Sequence, residues 1–442
     1  MRSRRPPFVW LVAKEWRELL ASRAWWVLLV LMGPLVGVSF ISAVRTYAEL
    51  SGYGGRAEGV GEAFSPLVGV WAPTFSAGEL AAAFLLPFVA IRVVAGDRQS
   101  GALKLELQQP MPVRWRVAAK TLVLMAGWLV ASLPTLAAVA LWRSYGGSVY
   151  PPELAAVLLG HVLNAGLTIA LASAAAAVTD HPATAAIVTL GVTVGTWIVN
   201  FVAAVHGGVW EWLAGYTPTA MVAAFQHGLV RLDVLVAALL LTAAGLVVTA
   251  VWTRLGVRAG RKVGESCAAA ALAVAGLAVC PWLSASWDVS ENRMNSFRLS
   301  DEQALRAIGT PLRVEAHLAA EDPRRVDLER QGLAKLRRVL PRVDVTYIAA
   351  TSTGLFEQTS EHYGEVWYEL AGQRVMSRAT TADGVLAAIY GLAGVDPPGE
   401  GADDIYRGHP LAAPPRGAAA VFYGIWPAAA VAAGVWVQRR QA

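Results

Sequence analysis

The sequence predicts an all-α polytopic membrane bundle, six core helices plus two, that carries a small extracytoplasmic α/β domain. Three observations predict it. The 442-residue chain is 55% hydrophobic and 16% charged, with a mean hydropathy of +0.46, whereas soluble domains carry about 25% charged residues. Its apolar residues gather in blocks of roughly 20, the length that crosses a bilayer core as a helix. The charges concentrate instead in residues 286–395, which hold 13 Arg/Lys and 15 Asp/Glu. These features exclude a disordered chain, a collagen and an ordinary cytosolic enzyme.

Eight spans are expected at 24–42, 79–95, 121–142, 153–178, 183–205, 233–253, 267–285 and 417–437. Backbone polar groups in lipid must be bonded within their own segment, so each reads as a helix. The second, which contains Pro87, has the weakest hydrophobic signal. An even number of spans puts both termini on one side. With cytoplasmic termini, segments 1–23, 96–120, 254–266 and 438–442 hold 6, 5, 4 and 2 Lys/Arg. The short loops on the other side hold only Arg45, Arg56, Arg143 and Arg231. Cytoplasmic loops collect Lys and Arg, so both termini are expected inside the cell membrane and residues 286–416 outside. That bias also accounts for the formal charge of +5 without a nucleic-acid partner. The basic start Met1–Arg5 precedes an amphipathic stretch rather than a short apolar run with a cleavage site. The first span is therefore expected to act as an uncleaved signal.

Cys267 and Cys280 lie 13 residues apart in one apolar block, about 20 Å along a helix, too far for a disulfide. Trp25, Trp26, Trp142 and Trp282 stand near span ends, as interfacial aromatics do. Gly33 and Gly37, like Gly191 and Gly195, form GxxxG pairs that let helices approach closely, either within the bundle or at a dimer seam.

Residues 8–23 are amphipathic: Val9, Val12, Trp16, Leu19 and Leu20 share one face, with Lys14, Glu15, Arg17 and Glu18 mainly elsewhere. Such a helix lies in the membrane interface, as an anchor or as a docking element. In the loop 97–120 a polar turn leads to Gly101, then a helix-prone run from Ala102 to Leu107. Pro110 and Pro112 break it, and a basic segment from Arg114 to Lys120 re-enters the bilayer. By composition it is either an ordinary loop or a short helix held beneath the membrane.

This order of elements resembles the permease subunits of type-2 ABC (ABC-2) exporters. In that family an interfacial helix precedes span one, and a loop with Gly, Leu, Pro, Arg and Lys follows span two as the coupling helix. The matching residues are Asp97, Gly101, Leu103, Pro110, Arg114 and Lys120; Gln99 and Ala102 stand where the family has a carboxylate and a hydroxyl. A second match is YTPTAMVAAFQHGLVRLDV at 216–234. Thr217, Pro218, Phe225, Gly228 and Asp233 fall at the places of the family's Ser/Thr-Pro turn, short outer helix and acidic opening of span six. The likeness covers residues 1–253. It implies a dimer of such chains working with two ATPase subunits. No GxxxxGK[ST] occurs in the chain, so ATP and Mg2+ are expected on a separate ABC ATPase, with no cofactor or metal held here.

The charged segment reads as a small open sheet with helices, β-α-β-β-α. Ser300 opens Ser-Asp-Glu-Gln, a capping-box pattern, for a helix to Ile308. Alternation over 312–318 gives a strand, 326–340 a helix, and 343–348 a second strand. Residues 366–370 and 374–377 make a hairpin, and 383–392 a closing helix. Cys-x-x-Cys is absent, and His317, His362 and the acidic residues lack metal-ligand spacing. The segment also resembles the extracytoplasmic part of gliding-motility-type (GldG-like) ABC auxiliary proteins, which open with Asp-x-Thr/Ser-Glu-Asn and run to Ser-Leu-Ser. Asp288, Ser290, Glu291, Asn292, Phe297, Leu299 and Ser300 carry that likeness. It implies a permease fused to a shortened auxiliary domain that meets an extracytoplasmic partner.

The expected layout follows. An interfacial helix at 1–23 leads to the permease core 24–253. A basic linker, 254–266, precedes span seven at 267–285. The α/β domain 286–395 and a Pro/Gly-rich tether 396–416 follow, then span eight at 417–437 and a tail at 438–442. Within the spans His161 and Asn164 share a face, and Asn200 lies in span five. Intramembrane polar residues face the bundle interior or a cavity, so these three serve a substrate path or bond helix to helix. The surrounding Ala, Val, Leu, Trp and Gly suit an amphipathic or lipid-like cargo better than a small ion. The competing function is a non-transporting membrane scaffold of an envelope complex. An intramembrane hydrolase lacks both a nucleophile–base pair and an HExxH.

Overall fold

Eight helices are long and apolar enough to cross a membrane: Arg23–Gly52, Leu67–Asp97, Val113–Ser144, Pro151–Val178, Pro182–Ala203, Leu232–Trp252, Ala259–Trp282 and Ala420–Arg440. They are taken from a computed structural model describing residues 7–52, 64–99, 101, 111–206, 208–319, 322–348, 362–399 and 406–441. All eight overlap the expected spans. The chain divides into two compact units. One comprises Met1–Trp197, Tyr216–Ala285 and Gly408–Ala442; the other comprises Ile198–Gly215 and Ser286–Arg407.

In the first unit span four is central, with spans two and six packed along it. Span two starts much earlier than expected. A π-helical turn, Leu67–Trp71, runs into the helix Ala72–Gln99 despite Pro87. Neighbouring helices let a membrane span tolerate the missing proline donor. Span three breaks at Ser132 into Val113–Ala131 and Leu133–Ser144. Residues 259–266, expected as linker, are the first turns of the helix Ala259–Val279.

The two GxxxG pairs differ. A Cβ on Gly33 would lie 2.4 Å from Trp426 Cδ1, and one on Gly37 2.4 Å from Phe422 Cβ. Span eight is thus seated on span one, where the Trp426 indole donates to the Leu29 carbonyl at 2.6 Å. A Cβ on Gly191 or Gly195 would meet nothing within 4 Å. Two of the expected interfacial tryptophans are core residues instead. Trp142 is fully buried, edge-on to Tyr47 at 5.3 Å and to Trp71 at 6.1 Å, and its indole donates to Ser148 O. Trp25 is buried too, while Trp282 is exposed. Both cysteines are free, Cys267 exposed and Cys280 buried.

The latter part of the expected tether is fixed in place. His409 N donates to Phe64 O, Tyr47 Oη to His409 O, and Leu411 N to Ser51 Oγ, at 2.8–3.0 Å. The Tyr145 hydroxyl donates to Arg416 O at 2.9 Å.

The second unit holds a four-stranded sheet in the order Val343–Tyr347, Leu312–Ala316, Val366–Leu370, Gln373–Ser377. The first pair is parallel and the others antiparallel. A parallel pair needs a crossover. Pro323–Leu328 supplies it, continuing through a π turn at Glu329–Leu333 into Ala334–Val339. The hairpin contributes two strands, and its Ala371-Gly372 turn has positive φ at both residues, as tight antiparallel turns require. Leu312, Val314 and Ala316 point inward with Val366, Tyr368 and Leu370, covered by Leu328, Leu336, Val385 and Ile389.

The helix Leu299–Ile308 has Arg298 at its N-cap position with no side-chain cap bond. Ser300 therefore sits inside the helix instead of capping it. Asp288 instead organises the turn that precedes the helix. Its carboxylate accepts from Ser290 N (3.1 Å), Ser290 Oγ (2.5 Å), Asn295 N (3.0 Å) and Asn295 Nδ2 (3.2 Å). Asn292 Oδ1 accepts from Met294 N at 3.2 Å, Glu291 accepts from Tyr406 Oη at 3.3 Å, and Phe297 is buried in the core. The Asp288 to Ser300 motif thus builds a turn that closes the domain.

Candidate functional site

Two places in the first unit concentrate polar chemistry. At one end, the helix Pro7–Ala21 buries Leu11, Glu15 and Leu19. Leu19 belongs to the expected apolar face, whereas Glu15, from the charged set, also turns inward and Val9 is exposed. The reason is electrostatic. Lys120 Nζ lies 2.7 Å from Glu15 Oε2 and 2.5 Å from Asp97 Oδ2. Lys14 Nζ lies 2.9 Å from Asp97 Oδ1, 3.3 Å from Glu15 Oε1 and 3.0 Å from Glu18 Oε1. Lys120 also donates to Val93 O at 3.2 Å. Glu15 and Asp97 are 0% and 3% exposed, and buried charges persist only when paired and hydrogen-bonded. Glu15, Glu18 and Asp97 come close enough to share a cation, but the two ammonium groups already lie among them.

This network joins three segments: the first helix, the end of span two and the start of span three. It thereby clamps both ends of the loop 97–120. Gly101 adopts φ +74° just after the helix ends at Gln99, a conformation that suits glycine. Arg114 is exposed in the first turn of Val113–Ala131. Leu103 and Pro110, like the run from Ala102 to Leu107, lie outside the described residues.

The second place is a cavity of about 320 Å³ among spans two, four and five and the short helix Pro218–Gln226. Thr217 caps that helix by accepting from Ala220 N at 3.4 Å, and Pro218 takes the first helical position. Phe225 is buried against Gly160, where a Cβ would lie 2.6 Å from Phe225 Cβ. Gly228 turns with φ +72°. Asp233 opens the helix Leu232–Trp252 and pairs with Arg231 at 2.6 Å, an acid at the favourable end of a helix dipole. These five residues shape and hold the short helix; the cavity's chemistry comes from its other members.

Gln226 organises that chemistry. Ser76 Oγ donates to Gln226 Oε1 at 3.3 Å, and Gln226 Nε2 donates to Glu79 Oε2 at 3.4 Å. The same Nε2 lies 3.3 Å from His161 Nε2. Asn164 lines the cavity beside Trp197 and Thr219. Of the three expected path residues, Asn164 lines the cavity, His161 meets it only through Gln226, and Asn200 does not line it.

Sequence reasoning missed Glu79 because the span was expected to begin there. The helix begins about 18 Å earlier, at 1.5 Å per residue from Leu67. Glu79 is therefore an intramembrane carboxylate. The signal that could have found it is the apolar run Leu67–Trp71, separated from the rest by Pro73.

Eight apolar helices with a charge-clamped loop at one end and a polar cavity inside define a multi-pass membrane protein of the transporter class. The chain matches the family model described as ABC-2 family transporter protein over residues 9–229. It belongs to that family, whose members are the membrane components of ABC transport systems. No curated protein and no solved structure matches the chain.

Proposed function

We propose that the chain is the permease subunit of an ABC-2 export system, coupling ATP hydrolysis by a separate ABC ATPase to substrate movement through the span bundle. The observation that supports this reading most strongly is the Lys14–Glu15–Asp97–Lys120 network, taken with the family membership. A loop clamped at both ends moves as a unit with the helices it joins, so force on it shifts spans two and three together. Gly101 and Arg114 are residues that meet the ATPase, and the family likeness implies the same role for Leu103 and Pro110. ATP and Mg2+ act in that partner, and this chain holds neither. The Lys/Arg bias supports a reading with both termini and this loop in the cytoplasm and residues 286–416 outside. Two copies of the chain complete the translocation path, which runs past His161 and Asn164, in a lipid bilayer.

The test is co-purification in mild detergent. A P-loop ATPase is expected to accompany the chain, its hydrolysis altered by Arg114→Glu or Gly101→Glu while the variants still fold. Absence of any ATPase, or hydrolysis indifferent to both variants, overturns the reading. A membrane scaffold of an envelope or gliding-motility complex is the second reading. The self-contained core of the GldG-like second unit favours it; loss of function on altering that unit, with ATPase coupling irrelevant, would be its signature.

A further inference from the structure

Among the described residues, Glu79 is a half-buried carboxylate in no ion pair. No Lys or Arg lines its cavity, and its hydrogen bond comes from a neutral amide at 3.4 Å. The Gln226 amide nitrogen lies 3.4 Å from Glu79 Oε2 and 3.3 Å from His161 Nε2, so it stands between the carboxylate and the imidazole. Asn164, 8% exposed, lines the same cavity with a side-chain oxygen that has no hydrogen-bond partner. A half-buried carboxylate and a buried orphan acceptor both gain from the arrival of a donor. Trp197 adds an aromatic ring to the lining, and such faces attract cations. Leu80 and Leu167 line it as well.

We propose that this cavity is the permease's substrate site and takes a protonated amine carried on a compact apolar body. The ammonium donates to Glu79 and to Asn164 Oδ1 and lies against Trp197, with the apolar body against the leucines. A volume of about 320 Å³ falls at the small end of ligand pockets, which fits a single amphipathic amine rather than a peptide or polymer. This rests on the permease reading and adds the substrate class to it.

The experiment uses the full chain in lipid nanodiscs, with protein-free nanodiscs to subtract partition into lipid. Equilibrium binding is measured for naphthylethylamine, cationic at neutral pH, and for its neutral counterpart naphthylethanol. The wild type should bind the amine about tenfold or more tightly than the alcohol, as charge-assisted bonds to a buried acceptor require. Glu79→Gln should abolish the preference and leave the alcohol's affinity unchanged; Asn164→Leu should reduce the preference by a smaller factor. Thr193→Trp, which fills the cavity, should remove binding of both and serves as the test if Glu79→Gln does not fold. Equal affinities in the wild type, or a preference that survives either Glu79→Gln or the filled cavity, overturns the proposal. If an ATPase co-purifies as expected while the amine preference is absent, the substrate class alone fails. If no ATPase is found, the permease reading itself fails.

Discussion

Asp97 and Glu79 stand on the same helix, Ala72–Gln99, about 27 Å apart along its axis at 1.5 Å per residue, and they live in opposite surroundings. Asp97 is 3% exposed and touches two ammonium groups, at 2.5 Å and 2.9 Å. Glu79 touches a neutral glutamine. A buried charge with its counter-charges built in is a brace: removing either side leaves the other stranded. A half-buried carboxylate whose cavity is lined by no Lys or Arg is, on the proposal above, a receptor. One helix thus carries a mechanical end and a chemical middle.

The largest expected effect falls on the brace. Asp97→Ala should cost about 3–5 kcal/mol, because Lys120 is left buried with one partner fewer, read as a lowered unfolding midpoint in detergent. Pairing it with Lys120→Met should recover part of that loss. Full additivity of the two would break the comparison.

The glycine pairs offer a smaller contrast of the same kind. Gly37→Leu drives a side chain into Phe422 and should destabilise the folded chain by about 1–3 kcal/mol. Gly191→Leu meets open space and should leave unfolding unchanged. A lowered dimer fraction in Gly191→Leu on sedimentation would assign that face to the seam between copies.

Glu79→Gln should change stability by less than about 1 kcal/mol, since no ion pair is lost. A penalty as large as that of Asp97→Ala would show a hidden counter-charge and erase the distinction.

The smallest effect lies in the second unit. Hydrogen bonds from the Arg324 side chain, then from Tyr363 and the Arg324 backbone, hold the Asp322 carboxyl down at about 2. A lowered carboxyl pKa stabilises the fold above the unfolded value of about 3.9, and that contribution fades as pH falls toward 2. The hydrogen-exchange protection of Pro323–Leu328, corrected for the intrinsic amide rate, should therefore fall between about pH 4 and 2 in the wild type and be flat there in Asp322→Asn.

How much of this was legible in the sequence depends on what each residue's position is set by. Apolar length alone set the eight spans, and alternation set the strands of the second unit, so both were readable. The brace was half readable. Asp97 and Lys120 were marked by family likeness, but Lys14 and Glu15 were placed only off the apolar face, because periodicity shows that two faces differ and not which one meets a partner. Trp142 looked like an interfacial anchor because its place in the chain is near a span end; only the fold sets Tyr47 and Trp71 around it. Glu79 was hidden by a misplaced boundary. Ser300 had the letters of a cap, but the helix starts one residue before it and its N-cap position falls to Arg298, with no side-chain bond.

The most direct measurement of the central claim is a cross-link from the clamped loop. In a chain with Cys267 and Cys280 replaced, a single cysteine at Arg114 carries a photoactivatable probe, and a matched chain carries it at Trp287. The account predicts an adduct between Arg114→Cys and a P-loop ATPase, lost when Asp97 and Lys120 are unpaired, and none from Trp287→Cys. An ATPase adduct from Trp287→Cys, or none from Arg114→Cys in a folded and otherwise active chain, would contradict it.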